Sequence, residues 1–547
     1  MSTDELTTIA QKAARGGLFL FIGNTSSTVI LAVGIIIVAR LLGPFDYGLY
    51  TLTLAIPTLL VALADVGMNY ALVRLPARAR AQGDQARANR LIRLGFLFKL
   101  AVSTPAFLIC YVGSTVIATV VLDRPELAPF IQLASLMIVF QAIFDATNSA
   151  FIGQDLMQYT AATQIIQAVL KGILGPALVF IGLGITGAIS GYLLALAAAG
   201  ATGASILFSR YARSSTHTTD SASTRVHELL AYGLPLYVAN ILSVVLTPYQ
   251  NIVLAHFVSN VEIGNFAASW TFTTLMAILS YPITTAMFPM FSKMDPEKQK
   301  EDLARGFVLA VKYTSLLMIP ASVAVMAFSR DLIHLTFGPG YASAPQYLLL
   351  VSAQYLLAAI GSMVVGSFLS GVAETGTVVK MSCIALAVYL ALAPALALLW
   401  GAYGVLVAYI LSNAAPAVYG IRQISRKYDA RPELRASGRI LLAALVAAVP
   451  VIVLIGLHLT GVGLVNLVVG GLLYLFVYLT VAPIVGAVDR FDVANFGTIL
   501  SFVPLQDREV ENKLTVRVYK LVTRTAAALT DSVLDYEARL LSAAGRD

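Results

Sequence analysis

Charge is what this sequence has least of. Only 12% of its 547 residues are Asp, Glu, Lys or Arg, against roughly 25% in a soluble domain, and that shortage excludes an ordinary water-soluble globule. Cysteine is scarce as well. The two present, Cys110 and Cys383, both fall inside apolar runs, which argues against a disulfide framework or a zinc site and leaves them as packed thiols. Catalytic signatures are missing: there is no Gly-x-Ser-x-Gly, no Walker loop, no His-Glu-x-x-His and no acidic cluster at a membrane face that would hold a metal for glycosyl transfer. The expectation is a chain that is not an enzyme, binds no metal or cofactor, and carries no nucleotide site to draw on ATP. His256, His334 and His458 stand singly near the ends of apolar runs, where a solvated or packed imidazole is the default.

What the sequence has in abundance is apolar length. Hydrophobic residues make up 58% of it and the mean hydropathy is +0.82. Continuous apolar runs of about 20 residues read as membrane helices, whereas a barrel strand alternates over about 10. The fold class is therefore all-α, a polytopic membrane protein. Counting runs predicts about fourteen spans. Six fall at Gly16–Ala39, Tyr47–Val73, Leu94–Leu122, Phe130–Phe151, Thr160–Leu183 and Ala188–Phe208. Six more fall at Ala231–His256, Ala267–Phe291, Gly306–Phe328, Leu348–Val372, Met381–Leu399 and Val405–Ile421, and a last pair at Ile440–Leu459 and Leu464–Val488.

The net charge of +7 and the pI near 9.2 do not indicate nucleic acid, because the basic residues follow topology. With this map, 30 of the 36 Lys and Arg lie at the N-terminus, in the even-numbered loops and in the C-terminal tail. Arg40, Arg124 and Arg330 alone lie in the odd-numbered loops. The positive-inside rule then places both termini in the cytoplasm of a cell with the chain in its plasma or inner membrane. Lys12 and Arg15 precede a first run too long for a cleaved signal, so it is expected to remain as a span. Leu6, Ile9, Ala10 and Ala13 share a helical face ahead of it, as do Leu514, Val518, Leu521 and Val522 in the tail. Both segments read as helices lying along the inner surface.

An internal repeat divides the chain. Ala39, Asp46, Gly48 and Tyr50 match Ala255, Glu262, Gly264 and Phe266 at an offset of 216, and GITGAISGYLL from Gly184 matches GAYGVLVAYIL from Gly401 at 217. Two distant blocks at one offset indicate two six-helix units. Because six is even, both face the same way. The expected domains are an N-lobe at 1–208, a Ser/Thr-rich cytoplasmic linker at 209–230, a C-lobe at 231–421, two added helices within 422–488, and a cytoplasmic tail at 489–547.

Polar residues held inside spans are the candidates for function, since each is costly in lipid and faces a cavity or a partner. Lys171, five residues before Pro176 in the fifth span, suits a cationic lumen receiving an anionic head group; snorkelling or a pair with Asp145 is the other reading. Lys99 and Lys312 lie close enough to their span ends to anchor at the interface, with contact to cargo as the alternative. Arg74 closes the second span and serves cargo or topology. Asp65 suits an ion pair, a proton site or a cation site, so Asp65 and Asp145 are the candidate coupling residues. Asn24, Ser27 and Thr28 share one face of the first span, and Asn240 and Gln250 lie in the seventh; a cavity wall and helix-to-helix glue both use such groups. Pro176 and Pro394 occupy corresponding fifth and eleventh spans and suit hinges.

The stretch ARLLGPFDYGLYTL, its echo VSNVEIGNFAAS after YGLPLYVANIL, the YPITTAMFPMFSK that closes the eighth span and the GAYGVLVAYIL block together resemble the polysaccharide flippases of the multidrug/oligosaccharidyl-lipid/polysaccharide exporter superfamily. The resemblance runs from about Ala10 to Val488, and the tail from Asp489 has no counterpart. It implies a V-shaped pair of six-helix lobes plus two peripheral helices, moving a polyprenyl-linked glycan to the outer leaflet by alternating access. It also implies a cationic lumen for the lipid phosphate while the lipid tail stays in the bilayer. The expected partners are the lipid-linked glycan, membrane lipids and, through the cytoplasmic tail, glycan-assembly proteins. Members often carry an acidic residue where this chain has Gln250, which departs from any coupling that needs a carboxylate there. A drug or metabolite antiporter of the same superfamily is the nearer alternative, disfavoured by the extra pair of spans and the lysines. A glycan polymerase or ligase is the other, and it would want a large outer loop that is absent from the span map.

Overall fold

The computed structural model describes residues 3–211, 222–456 and 463–488. Within them the chain forms nineteen α-helices linked by short 3-10 and π turns, with no strand among the described residues. Nine of the described helical stretches are long and apolar enough to cross a membrane, or ten if the bent pair Ala344–Ile360 and Ser362–Gly371 is one span. This is a multi-pass membrane protein. The expected fourteen and the observed nine or ten differ partly because the two longest stretches, Phe19–Ala81 and Met157–Ser209, each run through two of the expected spans. The expected cytoplasmic tail, residues 212–221 of the linker and His458 lie outside the described residues, as do the side chains of the expected N-terminal amphipathic face.

Backbone chemistry explains the long stretches. The helix Thr3–Ala64 is kinked at Gly43, whose φ of 74° leaves the helical region just before Pro44. After Ala64 the helix breaks at Asp65-Val66-Gly67 and resumes as Met68–Ala81. Val66 and Gly67 have φ of 46° and 78°, and a β-branched residue in the left-handed region is held there only by its surroundings. The next helix, Gln85–Val112, starts where the Asp84 side chain accepts from the Arg87 amide at 2.7 Å, as an N-cap does. Met157–Leu178 runs through a π turn containing Gly182 into Gly184–Tyr211.

The helices cluster into two compact units. Among the described residues, one comprises those within 3–278, 336–351 and 379–416, the other those within 279–335, 352–378 and 417–488. In the first, Met68, Leu72, Leu91, Ile92 and Phe151 build one apolar core with Leu207 and Leu229. In the second, Ile319 and Val323 pack against an alanine-rich face, Ala443, Ala444 and Ala447, of the helix Leu434–Gly456. Small side chains let helix backbones approach closely where lipid offers no hydrophobic push. Pro320 illustrates the polar side of the same constraint. Lacking an N–H, it leaves the Leu316 carbonyl without its helical donor, and the Tyr478 hydroxyl donates to that oxygen at 3.3 Å while Tyr474 donates to Pro320 O at 2.8 Å. Outward from this core, Leu442, Leu445, Leu472 and Phe476 are exposed, an apolar surface suited to acyl chains.

Candidate functional site

A cavity and most of the predicted polar residues lie in the first unit. A cavity of about 380 Å³ opens among the first helix, the segment after its kink, and the helices Leu246–Phe257 and Asn260–Ser292. Its polar wall includes Thr28, Thr51, Gln250, Asn251, Trp270 and Thr271. The spacing accounts for the wall: Thr247, Gln250 and Asn251 repeat at three and four residues, as do Trp270, Thr271 and Thr274, so each set shares one helical face. Gln250 is buried, and the Tyr389 hydroxyl donates to its Oε1 at 2.8 Å. Thr28 and Thr51 each donate back to the carbonyl four residues earlier, at 2.7 and 2.9 Å. That contact uses the hydroxyl proton and leaves the oxygen as an acceptor.

Glycines pinch the unit beside this cavity. A methyl group on Gly48 would collide with the carbonyl of Asn260, and one on Gly264 with the carbonyl of Pro44. The two glycines that correspond in the sequence repeat thus face each other across a backbone contact. A second such contact joins Gly67 and Gly233, each of which would strike the other's carbonyl if it carried a side chain. The two contacts are separated by roughly 28 Å of helix at about 1.5 Å per residue, close to the thickness of a bilayer core. The second is reinforced by polar links between the same segments. Tyr237 donates to Leu63 O at 3.2 Å, and Arg74 donates to the Tyr232 hydroxyl at 2.9 Å with its guanidinium 4.8 Å over that ring. Arg87 pairs with Glu228 at 2.9 Å. Around the first contact, Arg124 donates to Val258 O at 2.9 Å and the Tyr341 hydroxyl to Ala39 O at 2.5 Å.

Lys171 lies in a small niche lined by Gly34, Gly175, Ala188 and Tyr50. Ile35 and Tyr47 line both niche and cavity, so the ammonium is one side chain away from the larger space. Its Nζ stands 3.5 Å from the centre of the Tyr192 ring, a cation–π contact. The pair with Asp145 weighed from the sequence is not formed, and no carboxylate lies within ion-pair distance of Lys171 among the described residues.

Asp145 instead belongs to a second polar centre. Lys99 Nζ lies 2.9 Å from Asp65 Oδ1, 3.8 Å from Asp145 Oδ2 and 2.5 Å from Asn69 Oδ1. Gln141 donates to Asp145 at 2.8 Å and Ser149 to Asn69 at 3.2 Å. Three helices meet there, and Asp65 enters from the break in the backbone. Lys99 is 3% exposed, so it does not reach out to the interface as its position near the span end predicts. The attraction of two carboxylates outweighs the gain from snorkelling. Asn69, a second polar residue just beyond Asp65 in the same expected span, was passed over in the sequence; the break at Val66-Gly67 is what turns Asp65 toward the same lysine.

The other predicted residues lie elsewhere. Asn24 is exposed and takes part through its carbonyl, which accepts from Thr28. Of the Asn24, Ser27 and Thr28 stripe, Thr28 is the one on the cavity wall, and Ser27 is buried. Arg74 is exposed at the second glycine contact. Lys312 is half-buried in the second unit. The Asn240 side chain lies outside the described residues. Trp270, Asn251, Thr51 and Tyr192 were not singled out from the sequence, since a Trp or Thr within an apolar run carries no distinguishing mark without its neighbours.

Comparisons with known proteins agree with this architecture. "Probable low-salt glycan biosynthesis flippase Agl15" of Haloferax volcanii is 22% identical over 415 residues, covering 75% of this chain and 83% of that protein. "Lipopolysaccharide biosynthesis protein WzxC" of Escherichia coli is 25% identical over 352 residues, covering 63% and 67%. Among solved structures, "Lipid II flippase MurJ, inward closed conformation" superposes with a TM-score of 0.70 at 13% identity, covering 85% of this chain and 98% of that one. An inward-facing multidrug resistance transporter of the MATE family superposes at 0.60 with 15% identity, covering 74% and 96%. The fold is therefore that of the MurJ and MATE transporters. The family model described as "Polysaccharide biosynthesis protein" matches residues 13–295, more than half of the sequence, and the chain belongs to that family.

Proposed function

We propose that this protein is a flippase that carries a polyprenyl-(pyro)phosphate-linked oligosaccharide from the cytoplasmic to the outer leaflet by alternating access, for the synthesis of a cell-surface glycan. The observation that carries the reading is a cavity with threonine hydroxyls and the Gln250 and Asn251 amides set in an otherwise apolar wall, inside a lipid-embedded helix bundle, with the Lys171 niche beside it and glycine contacts on two levels of the helices around it. Sugar hydroxyls and a phosphate cross hydrocarbon too slowly unaided because their hydration is lost without replacement. A polar passage replaces it, and the prenyl tail stays in the bilayer. The names of the relatives point to the same class of cargo.

In this reading the two six-helix repeats, 1–208 and 231–421, swing about the glycine contacts, the Gly67–Gly233 contact closing the cytoplasmic side and the Gly48–Gly264 contact the outer side. Lys171 receives the phosphate, and the Tyr192 ring holds the ammonium until it arrives. Asp65, Lys99 and Asp145 form the coupling centre. With both carboxylates ionised the trio carries one net negative charge, a place for a proton or a small cation. An inside-negative potential, worth about 2.3 kcal/mol per charge per 100 mV, favours outward movement of an anionic cargo. The chain does no covalent chemistry and sits in the plasma or inner membrane with both termini in the cytoplasm.

The test is transbilayer movement of a fluorescent polyprenyl-diphosphate oligosaccharide in everted vesicles containing the purified protein. Movement is expected to depend on the protein, to slow about tenfold in Lys171→Ala, at the scale of one charge-assisted contact, and to be largely restored in Lys171→Arg. Absence of protein-dependent movement for this lipid class would remove the assignment.

A further inference from the structure

The cavity's chemistry says more about the cargo than that it is a glycan. None of the residues lining the 380 Å³ space is Asp, Glu, Lys, Arg or His. Charge is confined to the neighbouring niche, where Lys171 sits behind Tyr47 and Ile35. The wall offers hydroxyl oxygens as acceptors, since Thr28, Thr51 and Thr271 each donate their protons to their own helix. It offers donors through the amides of Asn251 and Gln250, the latter with its Oε1 already engaged by Tyr389 and Nε2 left to donate. The rest of the wall is apolar, aliphatic at Leu31, Ile35 and Leu254 and aromatic at Tyr47, Phe266 and Trp270, of which the indole is the largest surface. Trp270 is half-buried, with its indole 5.5 Å from Phe266 and nearly parallel to it, and 4.7 Å from Tyr409 across an edge-to-face contact. Two aromatic neighbours fix the ring where it borders the cavity.

A pyranose is the ligand with matching chemistry. Its hydroxyls both donate and accept, and its face of C–H groups packs on the negative face of an aromatic ring. A volume of 380 Å³ is at the lower end of ligand cavities, about 300–1,000 Å³, and suits a short saccharide rather than a prenyl chain or a long glycan. We infer that this cavity recognises the uncharged sugar residues next to the lipid phosphate, with Trp270 as the stacking platform and Gln250 and Asn251 as donors. The inference rests on the flippase reading and adds a selectivity to it. A uronate or other acidic sugar in this position would lose its hydration with no cation in the wall to replace it, so neutral sugars are preferred there.

The sequence supplies its own probe. It has two tryptophans, and Trp400 is 57% exposed at the end of a different helix, so Trp400→Phe leaves Trp270 as the sole indole. That variant, full-length in nanodiscs, is titrated with citronellyl diphosphate alone, with citronellyl diphosphate bearing two N-acetylglucosamines, and with the counterpart in which the first sugar is glucuronic acid. The neutral disaccharide is expected to shift Trp270 emission saturably and to bind about tenfold more tightly than the sugarless compound. The uronate compound should bind no more tightly than the sugarless one. Gln250→Leu, whose thermal unfolding is measured alongside, should remove most of the tenfold gain. Equal binding of all three ligands, or a silent Trp270 in protein that still flips the fluorescent glycan, would overturn the cavity assignment and leave the flippase reading in place. Failure of every ligand to bind, together with absence of flipping in the vesicle assay, would instead bring down the flippase reading on which this one rests.

Discussion

Lys99 and Asp65 form a buried ion pair, 2.9 Å from Nζ to Oδ1 with the lysine side chain 3% exposed, in a protein whose spans hold few charges. Removing one partner of such a pair leaves an uncompensated charge in a low-dielectric site and costs about 3–5 kcal/mol, whereas removing both together costs much less. Lys99→Met is therefore expected to lower thermal stability strongly in detergent, since it strands Asp65 beside Asp145. Asp65→Asn combined with Lys99→Met should recover a large part of the loss. Additive losses in the double variant would show that the two do not act as a pair.

Tyr192 supports Lys171 through its ring and not through its hydroxyl. A lysine over an aromatic face gains about 0.5–2 kcal/mol, more as water is excluded. Tyr192→Phe is expected to unfold at the temperature of the parent protein, and Tyr192→Leu to lose about that free energy. Lys171→Met in the Tyr192→Leu background should then cost nothing further from this contact. A drop in Tyr192→Phe equal to that in Tyr192→Leu would instead assign the effect to the hydroxyl.

How much of this was legible in the sequence depends on the range over which each feature is encoded. The membrane class follows from composition, which is local and additive. The kink at Gly43-Pro44 follows from a glycine free to take a positive φ next to a proline that has no amide proton to give the helix. Gln250 is a candidate from the sequence because a polar group in a span must have a reason, and the structure puts it on the cavity wall. The Lys99 centre was not found, because its geometry depends on three helices and on a backbone break that brings Asp65 to the lysine. Position along the span alone predicted snorkelling. Trp270 was missed for a similar reason: in an apolar run it is one more large side chain, and only Phe266, Tyr409 and the adjacent space make it a wall. The repeat was visible through Gly48 and Gly264. That the two would touch was not, since a repeat records correspondence and says nothing of contact. Those contacts tie helices of both halves of the chain into the first compact unit.

The glycine contacts give opposite expectations on the two sides. Gly48→Val meets the Asn260 carbonyl and Gly233→Val meets the Gly67 carbonyl, and neither backbone can give way without the helices separating. In a background lacking Cys110 and Cys383, a cysteine in place of Asn251 reports access to the cavity. Under the proposed orientation, Gly48→Val should raise its labelling by an impermeant maleimide from outside, and Gly233→Val from the cytoplasmic side. Labelling that is unchanged in both variants, or raised from the same side in both, would remove these contacts from the gating scheme.

Glu262, which corresponds to Asp46 in the repeat, shows what the acidic position at this turn does. Its Oε1 accepts from the Ser343 hydroxyl at 2.9 Å and its Oε2 from the Tyr347 hydroxyl at 2.5 Å. Three residues along, Asn265 Oδ1 accepts from the amides of Ser343 and Ala344 at 3.2 and 3.0 Å. Together these hold the start of the helix that begins at Ala344 against Asn260–Ser292. Hydrogen bonds to a charged group are worth about 1.5–3 kcal/mol, and an amide keeps one of the two acceptors. Glu262→Gln is therefore expected to lose part of that stability and Glu262→Ala nearly all of it, read as successive drops in unfolding temperature. Tyr347→Phe in the Glu262→Ala background should add little, because the hydroxyl has already lost its acceptor. A full further loss on adding Tyr347→Phe would mean that the tyrosine holds the helix by some contact other than the carboxylate.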